Sequence, residues 1–83
     1  MDNITIDLSK LYAKTHTAKL DHLNTYETKA LQLAGNGNSI TLTGAAPVWL
    51  YLRIAHVLHG KAITLAYDSP VTGKITIFDH NPF

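Results

Sequence analysis

The sequence contains no cysteine among its 83 residues, which excludes disulfide bonds and zinc sites built from thiolates. A chain without disulfides is typical of a reducing compartment, so we expect a cytoplasmic protein. Charged residues are scarce, at 16% of the sequence, and the formal net charge is only +1. This weak positive charge argues against binding to duplex DNA, which requires many clustered lysines and arginines.

The sequence also lacks an apolar run long enough to span a bilayer, because Arg53 and His56 interrupt the longest one, residues 45–58. The first three residues, 1–3, show neither the basic nor the apolar segment of a secretory signal. We therefore expect no membrane contact. The chain length suits one domain with a limited core, so residues 1–83 are expected to form a single domain that gains stability by self-association.

Hydrophobic periodicity predicts an α/β fold, an α+β sandwich with the order β-α-β-α-β-β, in which one small sheet carries two helices. The predicted strands cover residues 4–8, 40–42, 62–67 and 74–79, and the predicted helices cover residues 17–34 and 48–58. A break in the first helix, with a strand near residues 29–33, is the alternative, because threonines and an asparagine weaken the helical pattern there. The second helix is apolar on nearly all sides, so we expect most of it to be buried.

The turn before the second helix is rich in small residues. Gly44, Ala45, Ala46, Pro47 and Val48 connect the second strand to this helix, and proline is well suited to a helix start. Small residues let a ligand approach the backbone, and a helix N-terminus attracts anions, so these five residues are candidates for phosphate binding. An ordinary tight connection between a strand and a helix is the simpler interpretation.

Histidines mark the other end of the same helix. His56 and His59 lie three residues apart and therefore leave the helix on the same side. The final hairpin returns His80 to the same end. Three imidazoles would suit a borderline divalent ion such as manganese, zinc or nickel. In the simpler interpretation, His56 packs in the core and His59 interacts with the helix C-terminus, where a cation is favoured.

Asp68 is predicted at the tip of the last hairpin, beside the start of the second helix. A helix of about twelve residues is about 18 Å long, so His59 and Asp68 of one chain are too far apart to act on the same bond. Either each end has a separate role, or different subunits complete a shared site. The simpler role for Asp68 is to accept hydrogen bonds from the amides of the turn that follows it.

Four segments in the second half of the chain resemble the small CRISPR-associated ring nucleases of type III systems, which degrade cyclic tetra-adenylate. These segments are Thr43-Gly44-Ala45-Ala46-Pro47-Val48-Trp49-Leu50, Ala55-His56-Val57-Leu58-His59, Ala66-Tyr67-Asp68 and His80. The resemblance covers residues 43–80, and the first part of the chain matches only in its coarse strand and helix pattern. Two positions depart from the family pattern, since Ala45 stands where an arginine is frequent and residues 69–72 contain no arginine.

The resemblance implies a manganese-stimulated phosphodiesterase whose dimers stack on either side of the cyclic ligand, with a tetramer or a filament as larger assemblies. It implies that His59 and Asp68 come from different dimers, with His80 as an additional catalytic histidine. His56, His59 and His80 are the predicted metal ligands. Two alternatives remain open at this point: a binding module that senses or sequesters the cyclic nucleotide without cleaving it, and a structural unit for oligomerisation.

Overall fold

The structure is a computed structural model that describes residues 2–12 and 17–80. Its strands are β1 (Asn3–Asp7), β2 (Ser39–Thr43), β3 (Thr64–Ser69) and β4 (Gly73–Asp79), and its α-helices are α1 (Leu23–Ala34) and α2 (Val48–Leu58). Two short 3-10 helices, Leu8–Tyr12 and Leu20–His22, follow β1 and precede α1. One four-stranded sheet with two helices confirms the predicted fold class. The first helix begins later than predicted and is unbroken, so the alternative strand near residues 29–33 is wrong.

The strands lie in the order β1-β2-β3-β4, with β1, β2 and β3 parallel and β4 antiparallel to β3. A helix connects each parallel pair, as a crossover between parallel strands requires. The strand register aligns apolar side chains in two rows across the sheet, Ile4-Ile40-Leu65-Phe78 and Ile6-Leu42-Tyr67-Ile75. Between these rows run polar or small side chains that point to the opposite face, Thr5-Thr41-Ala66-Thr76. The core therefore lies on one face of the sheet.

The two helices pack on the apolar face through stripes with four-residue spacing. The buried residues are Tyr26, Ala30 and Ala34 on α1, and Leu50, Ile54 and Leu58 on α2. Trp49, Tyr51, Ala55 and Val57 are only partly buried against this core. Val48 is 73% exposed and Leu52 is 66% exposed. The expectation that most of α2 is buried is therefore wrong, because the sheet and α1 cover only one side of this helix.

The order of elements gives the sheet two distinct ends. Because α2 connects β2 to β3, it begins at the carboxyl edge, where β1 to β3 end, and finishes at the amino edge, where these strands begin. The 11 residues of α2 span about 16 Å between the two edges. No helix in the described part of the chain is long and apolar enough to cross a membrane.

Candidate functional site

A cavity of about 480 Å³ opens at the carboxyl edge. Its lining residues are Thr43, Gly44, Ala45, Ala46, Tyr51, Tyr67, Asp68 and Pro70. The cavity thus joins three residues of the predicted phosphate-binding turn to Asp68, as the predicted topology requires. Pro47 and Val48 do not line it, and Val48 lies instead on a neighbouring apolar groove between α2 and β4. We refer to this cavity as the turn cavity.

Two tyrosines fix the backbone of the turn. The hydroxyl of Tyr51 donates a hydrogen bond to the carbonyl oxygen of Gly44, and the hydroxyl of Tyr12 donates one to the carbonyl oxygen of Ala45. Gly44 adopts a φ of 99°, a conformation that favours glycine. Space also requires glycine, because a Cβ atom at this position would lie 2.0 Å from Oδ1 of Asp7. The turn is therefore held in one conformation from both sides.

Tyr51 stays protonated over a wide pH range. Burial raises the pKa of its hydroxyl from 10.0 to about 12, and the nearby Tyr67, Asp7 and Tyr12 act in the same direction. The ring of Tyr51 also packs edge-on against Tyr67, with their centroids 4.9 Å apart. A protonated hydroxyl can donate to the Gly44 carbonyl at every physiological pH. Sequence reasoning missed this role, because Tyr51 has the pattern of one more apolar helix position.

Asp68 lies at the end of β3 with an exposed side chain. The amides of Val71 and Thr72 donate to Oγ of Ser69, so Ser69 and not Asp68 accepts the hydrogen bonds of this turn. The simpler role suggested for Asp68 is therefore wrong. The side-chain hydroxyl of Thr43 on β2 donates a hydrogen bond to the backbone carbonyl oxygen of Asp68 on β3, at 3.3 Å. The carboxylate itself lies at the mouth of the turn cavity, where a ligand can reach it.

Lys74 is a functional candidate that sequence reasoning missed. In the register of the final hairpin, Asp68 lies directly opposite Lys74. Residues paired in this way have side chains on the same face, although Asp68 and Lys74 form no ion pair in this structure. The signal was present in the sequence, because a hairpin with its turn at residues 70–72 pairs these two positions.

The amino edge brings His59 and His80 together. Their Nε2 atoms lie 3.3 Å apart, so one imidazole donates a hydrogen bond to the other. The backbone amide of His80 donates to the carbonyl oxygen of Ile63 at 2.8 Å, which anchors the chain after β4 beside the end of α2. Phe78 packs against both imidazoles, with ring centroids 5.1 Å from His59 and 4.7 Å from His80. The predicted return of His80 to His59 is confirmed.

His56 does not complete a metal-binding set with His59 and His80. It lies in the last turn of α2 with an exposed side chain, so the interpretation that it packs in the core is wrong. Among residues 2–12 and 17–80, no group of three or more histidine, cysteine, aspartate or glutamate side chains is arranged to hold a metal ion. A single chain thus offers a pair of imidazoles, and a metal bound there would need further ligands from elsewhere.

The two polar ends are separated by about the length of α2. His59 directly follows Leu58, the last residue of α2, whereas Asp68 lies beside the turn that precedes Val48, the first residue of this helix. The helix length of about 16 Å and the similar rise of β3 both place these residues too far apart to contact the same phosphate. Each chain therefore carries two separate polar clusters, one at each edge.

These features define a small α/β protein with a small-residue turn and an acidic group at one edge and paired histidines at the other. Residues 13–83 match the family described as CRISPR-associated protein (Cas_csx3). The match covers most of the chain, and the protein belongs to this family. No curated protein and no solved structure matched the chain.

Proposed function

We propose that this protein is a ring nuclease that cleaves the phosphodiester bonds of cyclic tetra-adenylate, the second messenger of type III CRISPR defence. The observation that supports the proposal best is the division of polar groups within one member of a CRISPR-associated family. The His59–His80 pair lies at one edge, and Asp68 lies beside the turn cavity at the other. Chains that face each other across the ligand with opposite edges would complete the site.

In this proposal the histidine pair performs acid–base catalysis. Two imidazoles joined by a hydrogen bond can pass a proton from one ring to the other, and the second nitrogen of each ring can then exchange a proton with an attacking or leaving oxygen. Asp68 of another chain orients the attacking group, and Lys74 beside it offsets part of the repulsion between this carboxylate and a phosphate. The turn at residues 44–48 positions a neighbouring phosphate through the backbone amides of its residues other than Pro47.

A divalent ion, which we expect to be manganese, fits the histidine pair in part. The 3.3 Å between the two Nε2 atoms leaves room for both to bind one divalent ion. His59 and His80 would hold such an ion in place of their mutual hydrogen bond, with His56 as a further candidate, so a bound ion is the alternative to proton transfer between the two rings. When bound, the ion would stabilise the negative charge that develops on the phosphate.

The decisive experiment uses two inactive variants. Labelled cyclic tetra-adenylate is incubated with manganese and the purified protein, and the products are separated by chromatography. We expect His59→Ala and Asp68→Asn each to lose at least about 100-fold in cleavage rate, in line with the loss of an acid–base group. If the site is shared, a mixture of the two variants regains activity, because His59 of one and Asp68 of the other can meet.

His22→Ala is the matched control, since His22 is exposed and contacts Tyr26 rather than the His59–His80 pair or the turn cavity. This variant should retain full activity. Unchanged cleavage by His59→Ala would refute its catalytic role. A mixture that stays inactive, although each variant still self-associates, would refute the shared site.

A second candidate function is binding without cleavage, which would sense or sequester the nucleotide. One observation favours it: among the described residues that line the turn cavity there is no lysine or arginine. A bidentate arginine at a phosphate is difficult to replace, so its absence lowers catalytic activity more than it affects the fold. Tight binding with no product after long incubation with manganese would select this function.

A further inference from the structure

A second cavity of about 620 Å³ adjoins the turn cavity and extends along the free edge of β1. Its lining residues are Thr5, Ile6, Asp7, Lys10, Leu11, Lys29, Gln32, Leu33 and Thr43. Thr43 lines both cavities, so they meet at the end of β2. We call this second cavity the lysine cavity. The two cavities therefore adjoin at the carboxyl end of β2, on either side of Thr43.

The two cavities differ in charge. The turn cavity contains the carboxylate of Asp68 and no lysine or arginine among its described lining residues. The lysine cavity contains two ammonium groups, those of Lys10 and Lys29, against one carboxylate, that of Asp7. Asp7 is already engaged, because its Oδ1 atom accepts hydrogen bonds from the backbone amide and the hydroxyl of Ser9, at 3.0 and 2.6 Å. The excess charge of this cavity is positive.

Both lysines are available to a ligand. Their side chains are exposed, and neither forms an ion pair with a described residue. They come from different elements, Lys10 from the 3-10 helix after β1 and Lys29 from the middle of α1. Two cations from separate elements on one concave surface form a site for an anion with more than one charged group.

We propose that the lysine cavity is the phosphate-binding part of the nucleotide site, with Lys10 and Lys29 as its cations. This inference rests on the proposed function and extends it to residues outside the motif region. A ligand with several phosphates reaches from the turn cavity, past Thr43, to the two lysines. Adjacent strands lie about 4.8 Å apart, so the path from β3 to β1 spans about 10 Å, a distance suited to neighbouring phosphates of an oligonucleotide rather than to one phosphate. Cations here also compensate for the arginines that are missing from the turn and the hairpin.

The test measures the dissociation constant of labelled cyclic tetra-adenylate at several salt concentrations, without manganese so that binding is separated from cleavage. Removal of one lysine–phosphate interaction reduces the slope of log affinity against log salt by up to about 0.7 for a single strand. We expect Lys10→Gln and Lys29→Gln each to weaken binding at low salt and to reduce this slope, and the double variant to reduce it by up to about 1.4. Lys10→Arg and Lys29→Arg should keep the slope of the wild type.

Lys19→Gln is the charge-matched control, because Lys19 is exposed and lines neither cavity. A double variant that binds with the affinity and salt slope of Lys19→Gln would overturn the inference while leaving the proposed function intact. A wild-type protein that binds no cyclic tetra-adenylate at any salt concentration would instead overturn both. Far-UV circular dichroism of each variant verifies that the fold is retained.

Discussion

The close approach of Gly44 to Asp7 predicts a large and specific loss of stability for Gly44→Ala. Two costs add in this variant. An alanine at a φ of 99° is in a conformation that costs about 1–2 kcal/mol for a residue with a Cβ atom. The new Cβ atom would also lie 2.0 Å from Oδ1 and 2.9 Å from Cγ of Asp7, so the carboxylate or the turn must move.

Movement of the Asp7 carboxylate breaks its two hydrogen bonds with Ser9. Hydrogen bonds to charged groups contribute about 1.5–3 kcal/mol each, but water replaces part of this loss at a half-buried site, so we count about 1–3 kcal/mol in all. The total expected loss is about 2–5 kcal/mol. For a chain of this length the whole free energy of unfolding is about 4–12 kcal/mol, so the expected loss is a large and measurable fraction of it.

The assay is equilibrium unfolding in urea at fixed protein concentration, monitored by far-UV circular dichroism. Gly37→Ala is the matched control, because Gly37 has a φ of 71° and a Cβ atom there would meet nothing within 4 Å, so only the backbone cost of about 1–2 kcal/mol applies. Asp7→Ala supplies the second control through a double-mutant cycle. In that background the clash with the carboxylate is gone and only the 3.2 Å approach to the backbone nitrogen of Leu8 remains, so the cost of Gly44→Ala should fall toward that of Gly37→Ala. An equal penalty with and without Asp7 would refute the steric argument.

Two further predictions concern α2. Tyr51→Phe should cost about 0.5–1.5 kcal/mol at neutral pH through the missing hydrogen bond to Gly44. The folded state raises the pKa of Tyr51 to about 12, so the stability linked to its proton is complete below pH 10 and is lost as the pH rises through 12. In urea unfolding, the difference in free energy of unfolding between the wild type and Tyr51→Phe should therefore become smaller over this pH range. Ile54→Ala should cost about 2–5 kcal/mol, whereas Leu52→Ala should change stability by less than about 0.5 kcal/mol, because Ile54 is fully buried and Leu52 is 66% exposed. Equal losses in the two alanine variants would show that a partner covers Leu52 in solution.

The order of elements was predictable because each one has a strong local signal. Alternating apolar residues define β1 and β2, and Pro47 and Gly60 frame α2, whose bounds the structure confirms. The carboxyl and amino edges then follow from connectivity alone, and so does the meeting of His59 and His80. These features depend on the order of the elements and not on the position of any one side chain.

Other features were not predictable because they depend on which surface each neighbour covers. The apolar character of α2 suggested burial all round, yet the sheet and α1 occupy one side, and Leu52 remains exposed. Likewise, nothing local in the sequence indicates that Tyr12 and Tyr51 converge on the same turn, because they lie 39 positions apart and meet only when α2 packs on the sheet. The lysine cavity is of the same kind, since α1 and the segment after β1 form it jointly.

The fixed conformation of the turn matters for the proposal that clusters at opposite edges form one shared site. A site shared between chains requires that each half keep its geometry before the partner arrives, since ordering a loop on association would reduce the binding free energy. At the carboxyl edge this order is supplied by Gly44, wedged against Asp7, and by the two tyrosine hydroxyls. At the amino edge it is supplied by the hydrogen bond between His59 and His80 and by Phe78 beside them. In the proposed assembly each chain would present both halves already formed, so the free energy of association would be used to hold the ligand rather than to order the site.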